Sequence, residues 1–395
     1  MLPALPSQAA SSNLLKISSV SDWNQFANNV DNGNSYEGYL VVLTDDLDFS
    51  NQDITMAGSY TDSFAGTFDG RGHTFKNVTK ISNNYRNFAL FYLVTGTVSN
   101  INMDNIRIEC GGAGICLEAD EGALIDNCHI QSGNIITNTS TGVSGGIVQK
   151  LYKATIQNCS NSASIASDCY IGGIVGEVIN NNNSRIINCY NFGDISGIYN
   201  AYSGGICGWA SETTEFINCY NAGKVSGKEG FFGAICGMNG IALNCYMLEG
   251  ASSVTMNSKK QTEVISTKSQ SEMKTQSFAD ELNKNLRDGC RKWVCDSGNY
   301  PEVDDTINPI VQKISGKTTY SLASPSGSKK ISINASAYTK LSYKVTSGKK
   351  YIKVNKKGVV TIKKNTKPGT YKIKVTAASD DIFKKATKTI KIKVS

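Results

Sequence analysis

Residues Asn188-Cys189-Tyr190-Asn191-Phe192-Gly193-Asp194-Ile195-Ser196-Gly197 return thirty positions later as Asn218-Cys219-Tyr220-Asn221-Ala222-Gly223-Lys224-Val225-Ser226-Gly227. A Gly-rich apolar knot precedes each copy: Gly172-Gly173-Ile174-Val175-Gly176, then Gly204-Gly205-Ile206-Cys207-Gly208. A fixed period of about thirty residues marks one structural unit stacked on copies of itself. The Asn-Cys pair also stands at 127/128, 158/159 and 244/245, in steps of 31, 30, 30 and 26 residues. The knots centre on Ile115, Ile147, Ile174, Ile206 and Ile235, and a third apolar segment falls at Ile165, Ile195 and Val225.

Each unit therefore holds three runs rich in Ile and Val, too short for helices and separated by Gly, Asn and Ser. That pattern predicts strand–turn–strand–turn–strand. Three short strands cannot bury a face alone, but successive coils can pair as parallel strands about 4.8 Å apart. The predicted fold is all-β: a right-handed parallel β-helix of about eight coils, roughly 40 Å long. A leucine-rich repeat lacks its Leu pattern here, and a helical repeat lacks its 3.6-residue period. Propeller blades are antiparallel and longer, about 40–50 residues. In-register stacking would set Cys189 over Cys219 and Cys207 over Cys236, pointing inward, where a small hydrophobe fits. The Asn residues beside them suit left-handed turns and side-chain ladders between coils.

The net charge of +7 hides a split along the 395 residues. Residues 313–395 carry 21 Lys, no Arg, no Glu and two acids, Asp380 and Asp381, a balance of +19 that leaves the rest at −12. A basic tail on an acidic body predicts a polyanionic partner for the tail. Nucleic acid is not expected, because Arg supplies the bidentate contacts to bases and phosphates. No stretch reaches the length of a transmembrane helix. The opening 1–13, Met1-Leu2-Pro3-Ala4-Leu5-Pro6-Ser7-Gln8-Ala9 onward, reads as the end of a signal peptide or a disordered start, with Ser7-Gln8-Ala9 as a cleavage pattern.

Ser21 is a plausible N-cap for an amphipathic helix whose apolar face is Trp23, Phe26, Ala27 and Val30, with Gly33 past its end. Such a helix would cover the raw edge at one end of the β-helix. A second helix is expected near 270–286. Ser269 and Glu272 form its capping box, Phe278, Leu282 and Leu286 line one side, and it would close the other end. The expected order is a capped β-helix over 14–256, a C-terminal cap over 257–302, a linker over 303–312 and a separate domain over 313–395. In the last, runs such as Tyr371-Lys372-Ile373-Lys374-Val375 and Ile390-Lys391-Ile392-Lys393-Val394 alternate apolar with Lys, the mark of strands with one buried face.

Phe64-Ala65-Gly66-Thr67-Phe68-Asp69-Gly70-Arg71-Gly72-His73-Thr74-Phe75-Lys76-Asn77, then Phe88-Ala89-Leu90-Phe91 and the knots, resemble the GLUG-motif repeat surface proteins of gut bacteria. The resemblance covers roughly 14–302 and includes Tyr39 to Phe49, Trp293 and Asn299-Tyr300-Pro301. This copy departs from the commonest pattern in beginning one knot Phe88-Ala89 rather than with Gly. Val354-Asn355-Lys356-Lys357-Gly358-Val359-Val360, with Pro368-Gly369-Thr370-Tyr371, resembles a bacterial Ig-like domain, which implies a sandwich of about seven strands. Together they imply an extracellular or cell-surface protein. An adhesin, display rod or glycan-binding scaffold is the first reading. A polysaccharide lyase or glycoside hydrolase working in a β-helix groove is the first alternative, and a peptidase fragment a distant third.

Three constellations were candidates for chemistry. Asp69, Arg71 and His73 place an acid, a base and an imidazole within five residues, but the same residues form the turn motif of the repeat family. Asp45, Asp46 and Asp48 could gather calcium; in the family they lead into the first coil. A Ser or Cys nucleophile would need His73 or His129, and no orienting motif accompanies either. No catalytic residue, cofactor or metal site is therefore assigned; zinc would want paired cysteines, and no C-x-x-C occurs. Stacked cysteines keep their Cβ atoms near the strand spacing, wider than the 3.5–4.5 Å or so a disulfide wants. Cys290 and Cys295, outside the repeats, are the better disulfide candidates. Binding partners are expected to be cell-wall polyanions at the Lys-rich domain and a host or dietary glycan or protein at the body.

Overall fold

The computed structural model describes residues 13–81, 87–137, 142–179, 183–199, 201–254 and 265–395. The signal-peptide reading falls on residues outside these. Two compact units divide the chain, 15–307 and 308–395.

The first unit is a right-handed parallel β-solenoid. One coil runs through Thr155–Gln157, Ser160–Asn161, Ser164–Ser167, Tyr170–Gly172 and Val175–Val178. The next coil repeats it in register, Thr155 beside Arg185 and Ile165 beside Ile195. Five strands thus replace the three expected. The extra two arise because corners lie inside the apolar segments. Asn158, at φ +56°, turns the chain between the first two strands, and the Gly-Gly-Ile knot turns it between the last two. A Cβ at Gly173 would collide with the Gly205 carbonyl and the Asn191 side chain, so the knot column admits only glycine there. The two longest sheets hold nine strands each, about 38 Å of stacking at the usual spacing.

Cys128, Cys159, Cys189, Cys219 and Cys245 form an interior column, each 0–1% exposed. The Cys189 amide lies 3.5 Å from the Cys219 Sγ, and Cys207 pairs in register with Cys236. All twelve cysteines, Cys290 and Cys295 included, are free thiols. Burial pushes the Cys128 and Cys159 thiols well above their ordinary range. At the corner beside this column, Asn218 donates to the Asn188 Oδ1 (2.7 Å) and Asn188 to the Asn158 Oδ1 (2.9 Å). A second ladder runs inside the coil from Asn161 to Asn191 to Asn221, at 2.9 and 2.8 Å.

Helix α1, Val20–Asp31, plugs the N-terminal end. Its cap is Ser19 rather than Ser21: the Ser19 Oγ accepts from the Asp22 amide (3.2 Å), and Asp22 reaches back to the Ser18 amide (3.0 Å). Trp23, Phe26, Ala27 and Val30 are buried as expected. The Trp23 ring meets Phe68, Phe75 and Phe91 at 5.9, 4.8 and 5.6 Å, one ring from each of three sheets.

The second helical segment is two helices, α2 at Gln270–Met273 and α3 at Gln276–Lys284. Ser269 and Glu272 make the expected capping box, and Thr275 caps α3. Their seat is the side of the last coils. Phe278, Leu282 and Trp293 pack on Tyr190, Tyr220 and Tyr246, which point outward from three successive coils. Beyond α3 the chain runs back along the Asn corner as a strap. Asn218 donates to the Leu282 carbonyl, Asn188 to the Arg291 carbonyl, and the Trp293 Nε1 donates to the Asn188 Oδ1 (2.6 Å). The strap turns at an antiparallel pair, Trp293–Val294 with Glu302–Val303.

The second unit holds a four-stranded sheet and a three-stranded sheet over a shared apolar core that includes Ile352, Val360, Ile362, Ile373, Val375, Ile390 and Ile392. Residues 303–312 are not free chain: Val303 belongs to the strap pair, and Ile310–Val311 pairs with Phe383–Lys384.

Candidate functional site

The residues that stand close together along the chain do not converge on one site. Asp69 is buried and accepts from the Arg71 amide (2.9 Å) and the Asn100 Nδ2 (2.8 Å), with the Arg71 guanidinium 3.6 Å away. It is a rung of the Asn corner. His73 turns instead to Asp46, its Nδ1 3.3 Å from the Oδ1, while the Lys76 ammonium lies 2.8 Å from the Oδ2. Partial burial opposes ionisation of Asp46, yet hydrogen bonds from Lys76, Thr74 and His73 hold its carboxyl below the usual range. Asp48 is held at about 2 by hydrogen bonds from Asn77 and Ser50. Asp45 takes a hydrogen bond from the Thr44 hydroxyl (3.1 Å). Among the described residues no three His, Cys, Asp or Glu side chains gather around a metal-sized space.

A different group of residues does converge. The outward row of one nine-stranded sheet reads Asn102, His129, Ser160, Tyr190, Tyr220 and Tyr246, each beside the next in adjacent coils. Tyr190 and Tyr220 stack at 5.4 Å, and the Tyr220 hydroxyl donates to the Pro301 carbonyl. Where Ser160 replaces a tyrosine the row loses a ring, while the strap still passes overhead. The result is a cleft of about 280 Å³ between Ser160, His129 and Gln131 on one side, Phe192 on another, and Glu302 and Asp305 of the strap.

Inside it, the Ser160 Oγ lies 2.8 Å from the His129 Nδ1, and the Asn127 Oδ1 lies 3.1 Å from the Nε2. Asn127 already donates its amide to the Asn100 Oδ1 (3.0 Å). Its Oδ1 therefore accepts from Nε2–H, which leaves Nδ1 to accept the Ser160 hydroxyl proton. Burial, helped by the Arg291 charge, pushes the imidazole down to about 4, so it is neutral near pH 7. Packing around Glu302, then Asp305 and Asp296, pushes the Glu302 carboxyl up, although the side chain reaches solvent at the rim. Burial and the nearby Glu302 raise the Tyr190 phenol. Chemically the cleft offers a fixed hydroxyl, two carboxylates and aromatic walls. A larger, shallower groove of about 640 Å³ runs past Thr155, Arg185, Arg287 and Asp288.

Sequence reasoning named His129 only as an isolated imidazole. Ser160, Glu302 and Asp305 were missed. The residue after each Asn-Cys pair reads His129, Ser160, Tyr190, Tyr220, Tyr246, and that break from tyrosine was the one available signal. The strap's return over it had none.

The fold and site define a class, a repeat β-solenoid followed by a small all-β unit. No family model and no curated protein matches the chain. Among solved structures it is similar to one described as a "putative immunoglobulin A1 protease from Bacteroides ovatus", with a TM-score of 0.55 and 21% identity over 74% of this chain and 92% of that one. A structure described as "IgA1 Protease" aligns at 15% identity and a TM-score of 0.47, over 72% of this chain and 25% of its own length. At these identities the likeness is one of fold. Among the described residues no helix is long and apolar enough to cross a membrane.

Proposed function

We propose that the chain is an exported cell-surface protein of the GLUG-repeat type, whose solenoid is a non-catalytic rod that displays a glycan-binding face. The observation that carries this reading is the use made of the polar groups in the repeats. Asp69, Asp126 and the Asn column are committed to bonds between coils: Asn100 donates to Asp69 (2.8 Å), and Asn158 and Gln157 donate to Asp126 (2.6 and 3.3 Å). The Asp69, Asp126, Asn158 and Asn188 oxygens are spent on neighbouring coils and on the strap rather than on a groove. Probing a glycan array with the intact chain tests the reading, and binding to no glycan on the array would overturn it.

The second unit is read as an Ig-like spacer that holds cell-wall polyanions. Its support is local. The Tyr371 hydroxyl donates to the Lys367 carbonyl four residues upstream (2.6 Å), a corner of the kind found in Ig-type sandwiches. On the four-stranded sheet Lys344 stands opposite Lys374, and Lys372 opposite Lys391, all exposed. Like charges directly opposite one another destabilise a strand pair, so the arrangement favours an anionic polymer over water alone.

One observation favours the alternative, a carbohydrate-active enzyme: Glu302 and Asp305 flank the Ser160–His129 pair in one cleft. Release of reducing sugar or unsaturated product by the wild type, lost in Glu302→Gln, would establish it over the display reading.

A further inference from the structure

The cleft over Ser160 is shaped by what its row lacks. On the C-terminal side each rung is a tyrosine ring covered by α3 or the strap. At Ser160 the ring is absent and its space, with that beside it, is left open at about 280 Å³. This is near the lower bound for small-molecule pockets, about 300 Å³, and suits one ring rather than a chain of them. The missing ring defines the size of the guest.

Its chemistry is set by the wall. The Ser160 hydroxyl, 6% exposed, gives its proton to His129 and also meets the Tyr190 phenol, so what it offers toward the cleft is a remaining lone pair. Glu302 and Asp305, while ionised, are acceptors only. Gln131 adds an amide that serves either way. The fixed groups are thus mostly acceptors, and they call for a guest rich in donors. Arg291, whose charge reaches His129, has both terminal nitrogens engaged: its Nη1 donates to the Asp304 and Thr306 carbonyls (2.8 and 3.1 Å) and its Nη2 to the Asn100 Oδ1 (2.8 Å), while its Nε is buried. An acidic guest would face two carboxylates with only this one guanidinium, already bonded elsewhere, to set against them. Phe192 lies 5.2 Å from Tyr190 and 5.3 Å from Tyr300, and this aromatic group supplies an apolar wall. One ring, many hydroxyl donors, an apolar face and no acid describe a neutral or amino sugar.

We propose that this cleft is a single-pyranose site that takes the terminal neutral or amino sugar of a glycan. The proposal rests on the glycan-binding reading above and locates it. The ring packs against Phe192, its hydroxyls donate to Glu302, Asp305 and the Ser160 Oγ, and an ammonium group on the ring gains from both carboxylates.

Saturation-transfer NMR on the intact chain tests this, with glucosamine, galactose and glucuronic acid as probes. Wild type should transfer saturation to glucosamine and galactose and not to glucuronic acid. Ser160→Tyr restores the missing rung and should abolish both signals, with a melting temperature no lower than wild type because the new ring extends the Tyr190 stack. Glu302→Gln should weaken glucosamine by about tenfold, the loss of one charge-assisted hydrogen bond, and galactose by less. Should Ser160→Tyr fail to fold, the Glu302→Gln comparison decides. Equal signals from wild type and both variants would place the sugar elsewhere and overturn this site while leaving glycan binding intact. A positive glycan array with no monosaccharide signal would also overturn the site alone. A blank array with no signal would overturn both.

Discussion

At Asn158, Asn188 and Asn218 one residue type meets two demands. Each sits at positive φ (+56°, +58° and +55°), where asparagine is tolerated far better than a branched residue. Each also donates to a neighbouring coil and bonds the chain laid over it: Asn158 accepts from the Arg291 amide, Asn188 donates to the Arg291 carbonyl and Asn218 to the Leu282 carbonyl of α3. The cysteines beside them fill the narrow interior and stay beyond the reach of solvent. Native protein should therefore expose no more than Cys169, Cys290 and Cys295 to a thiol reagent such as DTNB, with all twelve titrating in denaturant; rapid native reaction of more than three would contradict the interior column. His129 carries a pH signature. Its folded value of about 4 lies below its ordinary 6.5, so between these pH values the unfolded chain binds the extra proton. Stability from this group is present above about pH 6.5 and is lost as pH falls through 4, by an amount on the order of 3 kcal/mol. The melting temperature should drop across that window, and His129→Gln should flatten the drop; an unchanged slope would mean the imidazole is not desolvated.

Among the elements, α1 shows how much a cap contributes. Its sequence announced the buried face through the spacing of Trp23, Phe26, Ala27 and Val30, and the face is where expected. The cap residue was misplaced by two positions because three serines stand close together, and only the Asp22 carboxylate accepting from Ser18, with the Asp22 amide donating to the Ser19 Oγ, separates them. Trp23 is wholly buried and its indole N–H donates to the Thr55 carbonyl (3.0 Å). Trp23→Ala should lower stability by about 3–5 kcal/mol, read as a loss of denaturation midpoint, with Trp23→Phe intermediate; an unaltered midpoint would show that the helix does not seal the coil. The second helical segment was legible as helix from Ser269, Glu272, Phe278 and Leu282. Its division at Thr275 and its lateral seat were not. An amphipathic pattern says that a face must be buried, and leaves open whether against a coil end or an outward tyrosine row.

For the whole molecule, charge is the property that sequence counts directly and structure arranges. The +19 balance of residues 313–395 was plain; that Lys344 and Lys374 face each other, and Lys372 and Lys391, follows only from strand register. Retention of the intact chain on purified cell walls should fall steeply between low and moderate salt, since such contacts are screened beyond about 10 Å at 0.1 M. Replacing Lys344, Lys372, Lys374, Lys391 and Lys393 by Gln should abolish it; retention indifferent to salt and to these changes would leave the lysines as solubilising groups. The thirty-residue period by itself determined the solenoid, its parallel register, the cysteine column and the Asn ladder, because stacking identical units forces identical residues into contact. Tertiary structure alone decided the number of strands per coil, the path of the strap from Leu282 to Asp305, and the cleft it roofs. The strap and the cleft depend on contacts between residues more than a hundred positions apart, such as Asn158 with Arg291 and Asn188 with Trp293, and no repeat encodes a segment that occurs once.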